Sequence, residues 1–317
     1  MDMNTPIRND NTVIECPAGK DCLGKGRHYA NNYSAITECL RHKANKERMH
    51  RNSQYIESPT YRPKDNPEAN ANKFDTIIQE YKDDPAKAAE NINALIQSNN
   101  ANPIRIETDF GTVAVAAAEH APQNYHGKNI DHIIYQVDPK ESADCFHNGQ
   151  TYCYHETAYG KQVTIDDHED IQKVQTAYIT SDGQAGGYVK EDGEFGGLFS
   201  TKKSQHRVSN AILDVVMEHD GDRVSHLECF DTFLPKIYQR NNFQAVAHIP
   251  FDDKYAPEGW DYQAMEKYNN GRPPVLIMMY REHMKNPINE PYNYNNETSY
   301  DGDNIKNIIQ HVKGQKE

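Results

Sequence analysis

The chain has 317 residues, of which 36% are hydrophobic, and a formal net charge of −13 at pH 7. This length is typical of one or two hydrophobic cores. The acidic charge disfavours a nucleic-acid coat protein or a binder of anionic membranes, because both need excess positive charge, but it leaves room for a local basic site. No apolar run is long enough to span a bilayer, so we expect no membrane partner.

The cellular compartment is predicted from the first residues and the cysteines. The first 11 residues are polar and lack the apolar segment of a secretion signal. We therefore expect the 6 cysteines to be free thiols or metal ligands in a reducing compartment, the cytoplasm.

Residues 1–71 are poor in branched aliphatic residues and end in a proline-rich stretch, which predicts a polar N-terminal region followed by a linker. One set of residues in this region, the N-terminal ligand set, has metal-ligand chemistry: Cys16, Cys22, Cys39 and His42. Four such ligands can form a structural zinc site, which would supply folding free energy to a segment with few core residues. The first gap, of five residues, is wider than in the usual zinc knuckle, so free thiols and a surface histidine remain the alternative.

The next region, residues 72–129, is predicted to be an accessory region of helices and a hairpin. Apolar residues recur at helical spacing until residue 98, with an interruption at Pro85, so we expect two short amphipathic helices. Asp84 followed by Pro85 is typical of the start of the second helix. Residues 104–115 alternate in polarity around Asp109-Phe110-Gly111 and predict a small hairpin.

From residue 130 onward the sequence predicts strands first. A strand is expected at residues 132–137, and three more short strands follow, separated by two Asp-Gly turns, at residues 174–180, 186–190 and 195–200. A polar stretch between the first strand and these three is predicted to be a loop, which either binds a metal or forms a hairpin with exposed imidazoles. Its candidate ligands are Cys145, His147, Cys153 and His155. The acidic run at residues 166–170 predicts a solvated turn.

Alternating helices and strands come next. A polar loop leads into a helix whose buried face is marked by apolar residues from Val208 to Val216 and which ends at Gly221. A strand, a helix with Asp231 as its expected N-cap, and two further strands follow, the strands at residues 224–229, 243–249 and 274–280. From residue 285 to residue 317 we expect a polar tail with a short final helix.

This order of elements resembles that of the GNAT N-acetyltransferase superfamily, over residues 130–282. The segment Gly197-Leu198-Phe199-Ser200 and the loop after it resemble the family's fourth strand and pyrophosphate loop. Leu227-Glu228-Cys229-Phe230-Asp231 and the following segment to Phe243 resemble the fifth strand and the next helix. The run FDDKYAPEGW, followed by PPVLIMMY, is similar to GNAT-like proteins of phages and mobile elements.

The resemblance implies an α/β fold of the α+β type, with a mixed, mostly antiparallel sheet flanked by helices over residues 130–284 and a small, mostly helical N-terminal addition. It also implies binding of acetyl-CoA or another acyl-CoA. The residues at matching positions are Phe199, Ser200, Lys202, Lys203, Ser204, Arg207, Val208, Ser209, Asn210 and Asp231. The loop lacks the family's glycines, so basic and hydroxyl side chains would have to supply donors to the diphosphate.

The catalytic roles that the resemblance implies are those of direct attack by an amine on a thioester. Tyr238 corresponds to the acid that protonates the departing thiolate, and backbone N–H groups near Phe199 and Ser200 would polarise the carbonyl. The candidate bases are Glu194, Glu228, His226 and Asp231. Strand alternation places His226 and Glu228 on one face and Cys229 on the other, where we expect a core thiol and not a nucleophile.

The sequence thus predicts an N-acyltransferase that acts on an amine acceptor or a macromolecular protein partner, in the host cytoplasm if a phage encodes it. A GNAT-fold enzyme that modifies nucleobases is a second hypothesis, which the acidic charge disfavours. The third is a non-catalytic interaction or virion-associated protein that keeps the fold and has lost the cofactor, which the glycine-free loop favours.

Overall fold

A computed structural model describes residues 13–15, 27–29, 66–157, 159–201, 204, 206–287, 290–299 and 302–313. The chain divides into two compact units, Met1–Lys64 and Asp65–Glu317. In the first unit, strands β1 (Val13–Glu15) and β2 (Arg27–Tyr29) pair antiparallel. The N-terminal ligand set lies outside the described residues.

The second unit has an α+β fold, as the sequence predicts. Its larger sheet has six antiparallel strands that are neighbours in sequence order. These strands are β3 (Ile104–Thr108), β4 (Gly111–Tyr125), β5 (Lys128–Val137), β6 (Thr176–Thr180), β7 (Ala185–Val189) and β8 (Phe195–Ser200). Strands β3 and β4 form the predicted hairpin, but β4 runs ten residues past the predicted end and pairs along its length with β5.

The two helices predicted before the hairpin are confirmed as α1 (Pro67–Glu80) and α2 (Pro85–Ser98). The Asp84 side chain accepts a hydrogen bond from the backbone N–H of Lys87, so this residue is the N-cap of α2, as expected. Helix α1 begins five residues before the predicted start, because Asn66 provides an N-cap and Pro67 has the backbone angle that the first helical position needs.

The polar stretch that carries Cys145, His147, Cys153 and His155 is helical, so the predicted loop is wrong. It forms α3 (Pro139–Glu156), which Asp138 caps by accepting hydrogen bonds from two backbone N–H groups. The sulfur atoms of Cys145 and Cys153 lie in the core, where burial raises the pKa of Cys145 to about 12 and that of Cys153 to about 11. Neither thiol is therefore available as a metal ligand together with the histidines.

Helix α5 (Val208–Asp220) follows the loop after β8, and its apolar face packs on the opposite side of the large sheet from α1 to α3. The helix ends before Gly221, as predicted, although this glycine keeps right-handed helical backbone angles. A short helix, α4 (His168–Ile171), occupies the acidic run.

A second sheet has three antiparallel strands in the order β10-β11-β9. Its strands are β9 (His226–Phe230), β10 (Phe243–Ile249) and β11 (Val275–Tyr280), which confirms the predicted strands, and α6 (Leu234–Arg240) connects β9 to β10. Asp231 is not the N-cap of α6. Phe233 holds that position, and the Asp231 carboxylate accepts a hydrogen bond from the hydroxyl of Tyr294.

The expected short final helix is confirmed as α7 (Gly302–Val312), which packs against the second sheet through Ile305. Residues before it also contact this sheet, through a bridge between His248 and Glu297. In the described ranges, every helix is too short or too polar to cross a bilayer.

Candidate active-site cleft

The two sheets meet at one point and then separate. A parallel bridge joins Glu194, just before β8, to His226 at the start of β9, and the Ser225 N–H donates to the Gly193 carbonyl at 2.8 Å. In the described part of the chain, no other β-bridge joins β8 to β9. The gap between them forms a cleft of about 450 Å³, and the polar edge atoms of both strands border it.

The β8 wall of the cleft contains a β-bulge. Gly196 pairs with Tyr188 and Phe199 pairs with Gly186, so β8 has one more residue than β7 over this interval. The bulge requires glycine at position 197, because its φ is +62° and a Cβ atom there would lie 2.1 Å from the Tyr188 ring. A bulge takes backbone groups out of the ladder, and Gly197 and Leu198, the residues of this bulge, both line the cleft.

The β9 wall contributes Glu228, whose carboxylate has no hydrogen-bond or ion-pair partner among the described residues. Burial raises its pKa to about 7, and the nearby Glu194 adds to the rise. Leu227 and Cys229 face α5 and α6, so strand alternation places Glu228 on the opposite face, as predicted from the sequence. A carboxyl group with this pKa can both accept and release a proton near neutral pH.

Glu194 lies in the same cleft but is neutralised by a neighbour. The Lys190 ammonium donates to both of its carboxylate oxygens at 3.1 Å. Burial raises the pKa of Glu194, and the Lys190 charge partly opposes that rise. Because an ion-paired carboxylate is a weaker proton acceptor than a free one, Glu228 is the stronger candidate for a base.

Tyr238, on α6, lines the side of the cleft opposite to Glu228. The side chain is 5% exposed and packs in the same cluster as Leu227 and Cys229. Burial raises the pKa of the Tyr238 phenol, so the group stays protonated at neutral pH and can donate a hydrogen bond. The Cys229 thiol is buried with its sulfur 3.7 Å from Met278 Sδ, and burial raises its pKa, which agrees with a core role.

His226 does not act as an open base. It is buried, its Nδ1 lies 2.9 Å from Ser225 Oγ, and burial lowers its pKa to about 4. Its ligand atom lies within 4.8 Å of those of Asp192 and Glu194, a spacing that could hold a cation. The Lys190 ammonium already occupies the Glu194 carboxylate, however, and a bound cation would have to displace it.

Four residues that line the cleft are not among the candidates that the sequence provides: Tyr159, Asp166, Lys190 and Phe233. The prediction that Asp166 lies in a solvated turn is wrong, because its carboxylate accepts a hydrogen bond from the buried Tyr188 hydroxyl. Its backbone N–H also donates to Gln150 Oε1 at 3.0 Å, so α3 positions the residue. The ion pair between Lys190 and Glu194 could have been predicted from the sequence, because the two residues lie on either side of an Asp-Gly turn.

The residues predicted to bind a cofactor are only partly brought together. Phe199, Ser200 and Ser209 line the cleft, whereas the Ser204 hydroxyl lies 2.5 Å from that of Ser200. Val208 is packed in the core, and Asp231 is absent from the residues that line the cleft. Lys202 and Lys203 lie outside the described residues.

Arg207 and Asn210 line a second pocket, of about 270 Å³, beside the start of α5. Arg207 has a left-handed backbone, with φ of +65°, and its guanidinium lies over the Tyr125 ring, 5.1 Å from the ring centre. Arg240 also lines this pocket, which gives it two guanidinium groups against the single carboxylate of Asp214. The predicted cofactor-binding residues thus extend from the main cleft around the N-terminus of α5.

Comparison of the chain with protein-family models, with curated proteins and with solved structures finds no match.

Proposed function

We propose that this chain is an acyl-CoA-dependent N-acyltransferase of the GNAT superfamily, which transfers an acetyl group from acetyl-CoA to an amine. The observation that carries this proposal is the separation of β8 and β9 after their bridge at Glu194 and His226. The separation leaves an open cleft with a bulged strand on one wall. Glu228, whose carboxyl group has no partner among the described residues, and the neutral phenol of Tyr238 line the cleft from opposite sides of β9.

The strand edges favour an extended ligand that carries amide groups. Strands β8 and β9 are each an edge strand of their sheet, so backbone edges face the gap, and a chain lying between them can pair with these edges as an added strand would. The pantetheine arm of coenzyme A has two amides and this extended shape. Its diphosphate would then lie near Ser200 and Ser209, at the N-terminus of α5, where the helix dipole favours an anion.

The chemistry assigned to these residues balances protons and bonds. Glu228 accepts a proton from the acceptor ammonium, and the free amine attacks the thioester carbonyl, whose developing charge the N–H groups at the Gly197 bulge stabilise. The C–N bond forms, the C–S bond breaks, and Tyr238 gives its proton to the departing thiolate. The nitrogen loses its second proton as the amide forms, and that proton returns the Tyr238 phenolate to its neutral form, while Glu228 releases its own proton to solvent. Glu228 and Tyr238 lie on opposite faces of β9, which fits a base for the amine and an acid for the sulfur.

The open cleft argues against the non-catalytic alternative, in which side chains would fill the gap. The cleft keeps a volume of about 450 Å³ between the two strands, and Glu228 and Tyr238 both line it. The basic groups that would contact the diphosphate are Arg207 and, from the sequence, Lys202 and Lys203.

The test is calorimetry of the full chain with acetyl-CoA, together with detection of free coenzyme A thiol in the presence of amines. We expect saturable binding, with Arg207→Glu weakening it at least tenfold through charge repulsion. Tyr238→Phe keeps the packing and should retain binding but lower kcat by about 10- to 100-fold, because only the proton donor is lost. Absence of any binding heat at millimolar acetyl-CoA would refute the proposal.

A further inference from the structure

The face of the cleft that contains Glu228 carries an excess of negative charge. Its charged lining groups in the described chain are Asp166, Glu194, Glu228 and Lys190, three carboxyl groups against one ammonium. This face lies on the α3 side of the large sheet, because Val163 in the same lining segment packs against the α3 core cluster. Tyr238 and the helices α5 and α6 lie on the other side. The acidic face is therefore on the opposite side of β9 from Tyr238, the acid proposed for the departing sulfur.

Only one of the three carboxyl groups on this face has a salt-bridge partner. Lys190 contacts both oxygens of Glu194 and acts on Asp166 and Glu228 only at longer range, which leaves these two carboxyl groups without a salt-bridge partner among the described residues. A charge in a partly buried cleft attracts an opposite charge more strongly than one at the open surface, because the local dielectric is lower. Two cationic groups on one ligand would match these two carboxylates.

Asp166 is held rigidly, which favours a binding role over that of a passive surface charge. The Tyr188 hydroxyl donates to its Oδ2, and the Gln150 amide donates to the same hydroxyl at 3.0 Å. Tyr188 and Gln150 are both fully buried, so this support is fixed by the core. A carboxylate fixed in this way loses little conformational entropy when a ligand binds.

Two exposed aromatic side chains form the rim of the same cleft. Tyr159 is 36% exposed and Phe233 is 37% exposed, and their ring centres lie 5.3 Å apart in an edge-to-face arrangement. Both residues line the cleft. Aromatic rings attract ammonium groups through their faces and also cover methylene chains, and the Lys267 ammonium already lies over the Tyr159 ring, 5.9 Å from its centre. A ligand would share this rim with Lys267, so the rim suits the methylene chain of an aliphatic amine.

We propose that the acceptor is a slender aliphatic amine with at least two ammonium groups, one presented to Glu228 and the other held by Asp166. This inference rests on the proposed function for the role of acceptor, whereas the binding of the dication depends on the acidic face alone. The cleft, of about 450 Å³, must also hold the reactive end of the acyl donor, which favours a thin chain.

The experiment is calorimetry of the full chain with 1,4-diaminobutane and with butylamine, which has the same carbon chain and one charge fewer. We expect the diamine to bind at least tenfold more tightly, since a second charge-assisted contact contributes about this factor. Asp166→Asn keeps an oxygen that accepts from Tyr188 but removes the charge, and should abolish the difference between the two amines. Glu169→Gln, on the exposed side of α4, is the matched control and should bind as the wild type does.

Each outcome separates this inference from the function on which it rests. If the diamine binds no more tightly than butylamine, or if Asp166→Asn keeps the difference, the inference is overturned even where acetyl-CoA binds. If the diamine is preferred in an Asp166-dependent way and acetyl-CoA does not bind, the dication site stands and the transferase proposal fails. If both bind, the diamine should also have at least a tenfold higher kcat/KM than butylamine.

Discussion

The partly buried carboxyl group of Glu228 provides the sharpest test of the cleft, through Glu228→Gln. The pKa of this group rises from 4.5 to about 7 in the folded protein, chiefly through burial. A rise of this size corresponds to about 3 kcal/mol of destabilisation by the ionised carboxylate. Glutamine has the same shape as the protonated acid and no charge, so the substitution should remove that cost.

The pH window follows from the direction of the pKa change. Below pH 4.5 the folded and unfolded states both hold the Glu228 proton, so the wild type and Glu228→Gln should be equally stable. As the pH rises towards about 7 the unfolded chain ionises first, so the stability of the wild type falls relative to the variant. Above that pH the variant should keep an advantage of about 3 kcal/mol in free energy of unfolding.

The assay is urea unfolding at pH 4 and pH 8, followed by the fluorescence of Trp260. This residue is the single tryptophan of the chain and is buried beside Phe230, two residues beyond Glu228 on β9. Glu169→Gln removes an exposed carboxylate and serves as the control, with no expected change at either pH. Equal stability of the wild type and Glu228→Gln at pH 8 would contradict the burial argument.

The same substitution should act oppositely on turnover. If Glu228 is the base, kcat/KM of the wild type rises with pH through about 7, and Glu228→Gln loses that dependence and about 10²- to 10⁴-fold in rate. A variant that is more stable at pH 8 but inactive would mean that the Glu228 carboxylate lowers the stability of the fold and is needed for turnover, as is expected of a functional carboxylate. A variant that keeps both full activity and the wild-type pH profile would exclude Glu228 as the base.

Three further changes test the fold around the cleft and the N-terminal unit. Gly197→Ala should lower the free energy of unfolding by about 3 kcal/mol, because its left-handed backbone is strained with a Cβ atom that also clashes with the Tyr188 ring. Gly127→Ala also has a left-handed backbone but lies in open space, so it should lower the free energy of unfolding by only about 1 kcal/mol. Urea unfolding measures both. Asp220→Ala removes the acceptor of two buried hydroxyl groups and should lower the free energy of unfolding by about 3 kcal/mol. The control Asp170→Ala removes an exposed carboxylate and should lower it by less than about 1 kcal/mol. Elemental analysis should find about one zinc per chain, lost in Cys16→Ser; metal-free protein would favour free thiols.

Hydrophobic periodicity predicts most elements of the second unit but fails for α3. Helices such as α5 have an apolar face of aliphatic residues, and the pattern reports them directly. The buried face of α3 instead includes Ser142, Gly149 and Gln150, which read as loop residues in sequence. They are buried because tertiary partners satisfy them: the Ser142 hydroxyl accepts from the Ala114 N–H at 3.1 Å, and the Gln150 amide donates to Tyr188.

The candidate site is predicted only where neighbours in sequence determine it. Alternation along β9 suffices to place Glu228 opposite Cys229, and the order of elements brings α6 with Tyr238 beside it. Asp166 enters the cleft through contacts with Tyr188 and Gln150, 22 and 16 residues away, which no local pattern encodes. Asp231 is not the predicted cap because of another distant contact: its carboxylate accepts a hydrogen bond from the hydroxyl of Tyr294, 63 residues away.

Three features that lower stability occur together at the cleft. Strands β8 and β9 stop pairing after one bridge, Gly197 introduces a bulge, and Glu228 is partly buried without a hydrogen-bond or ion-pair partner among the described residues. Each could be relieved by an ordinary change: continued pairing of the strands, a regular strand, or an apolar residue at position 228. Destabilising features that cluster in one region are typical of binding and catalytic sites, where a ligand supplies the missing contacts. An amide-bearing chain between the strands and a cation beside Glu228 would supply all the contacts that this cleft lacks.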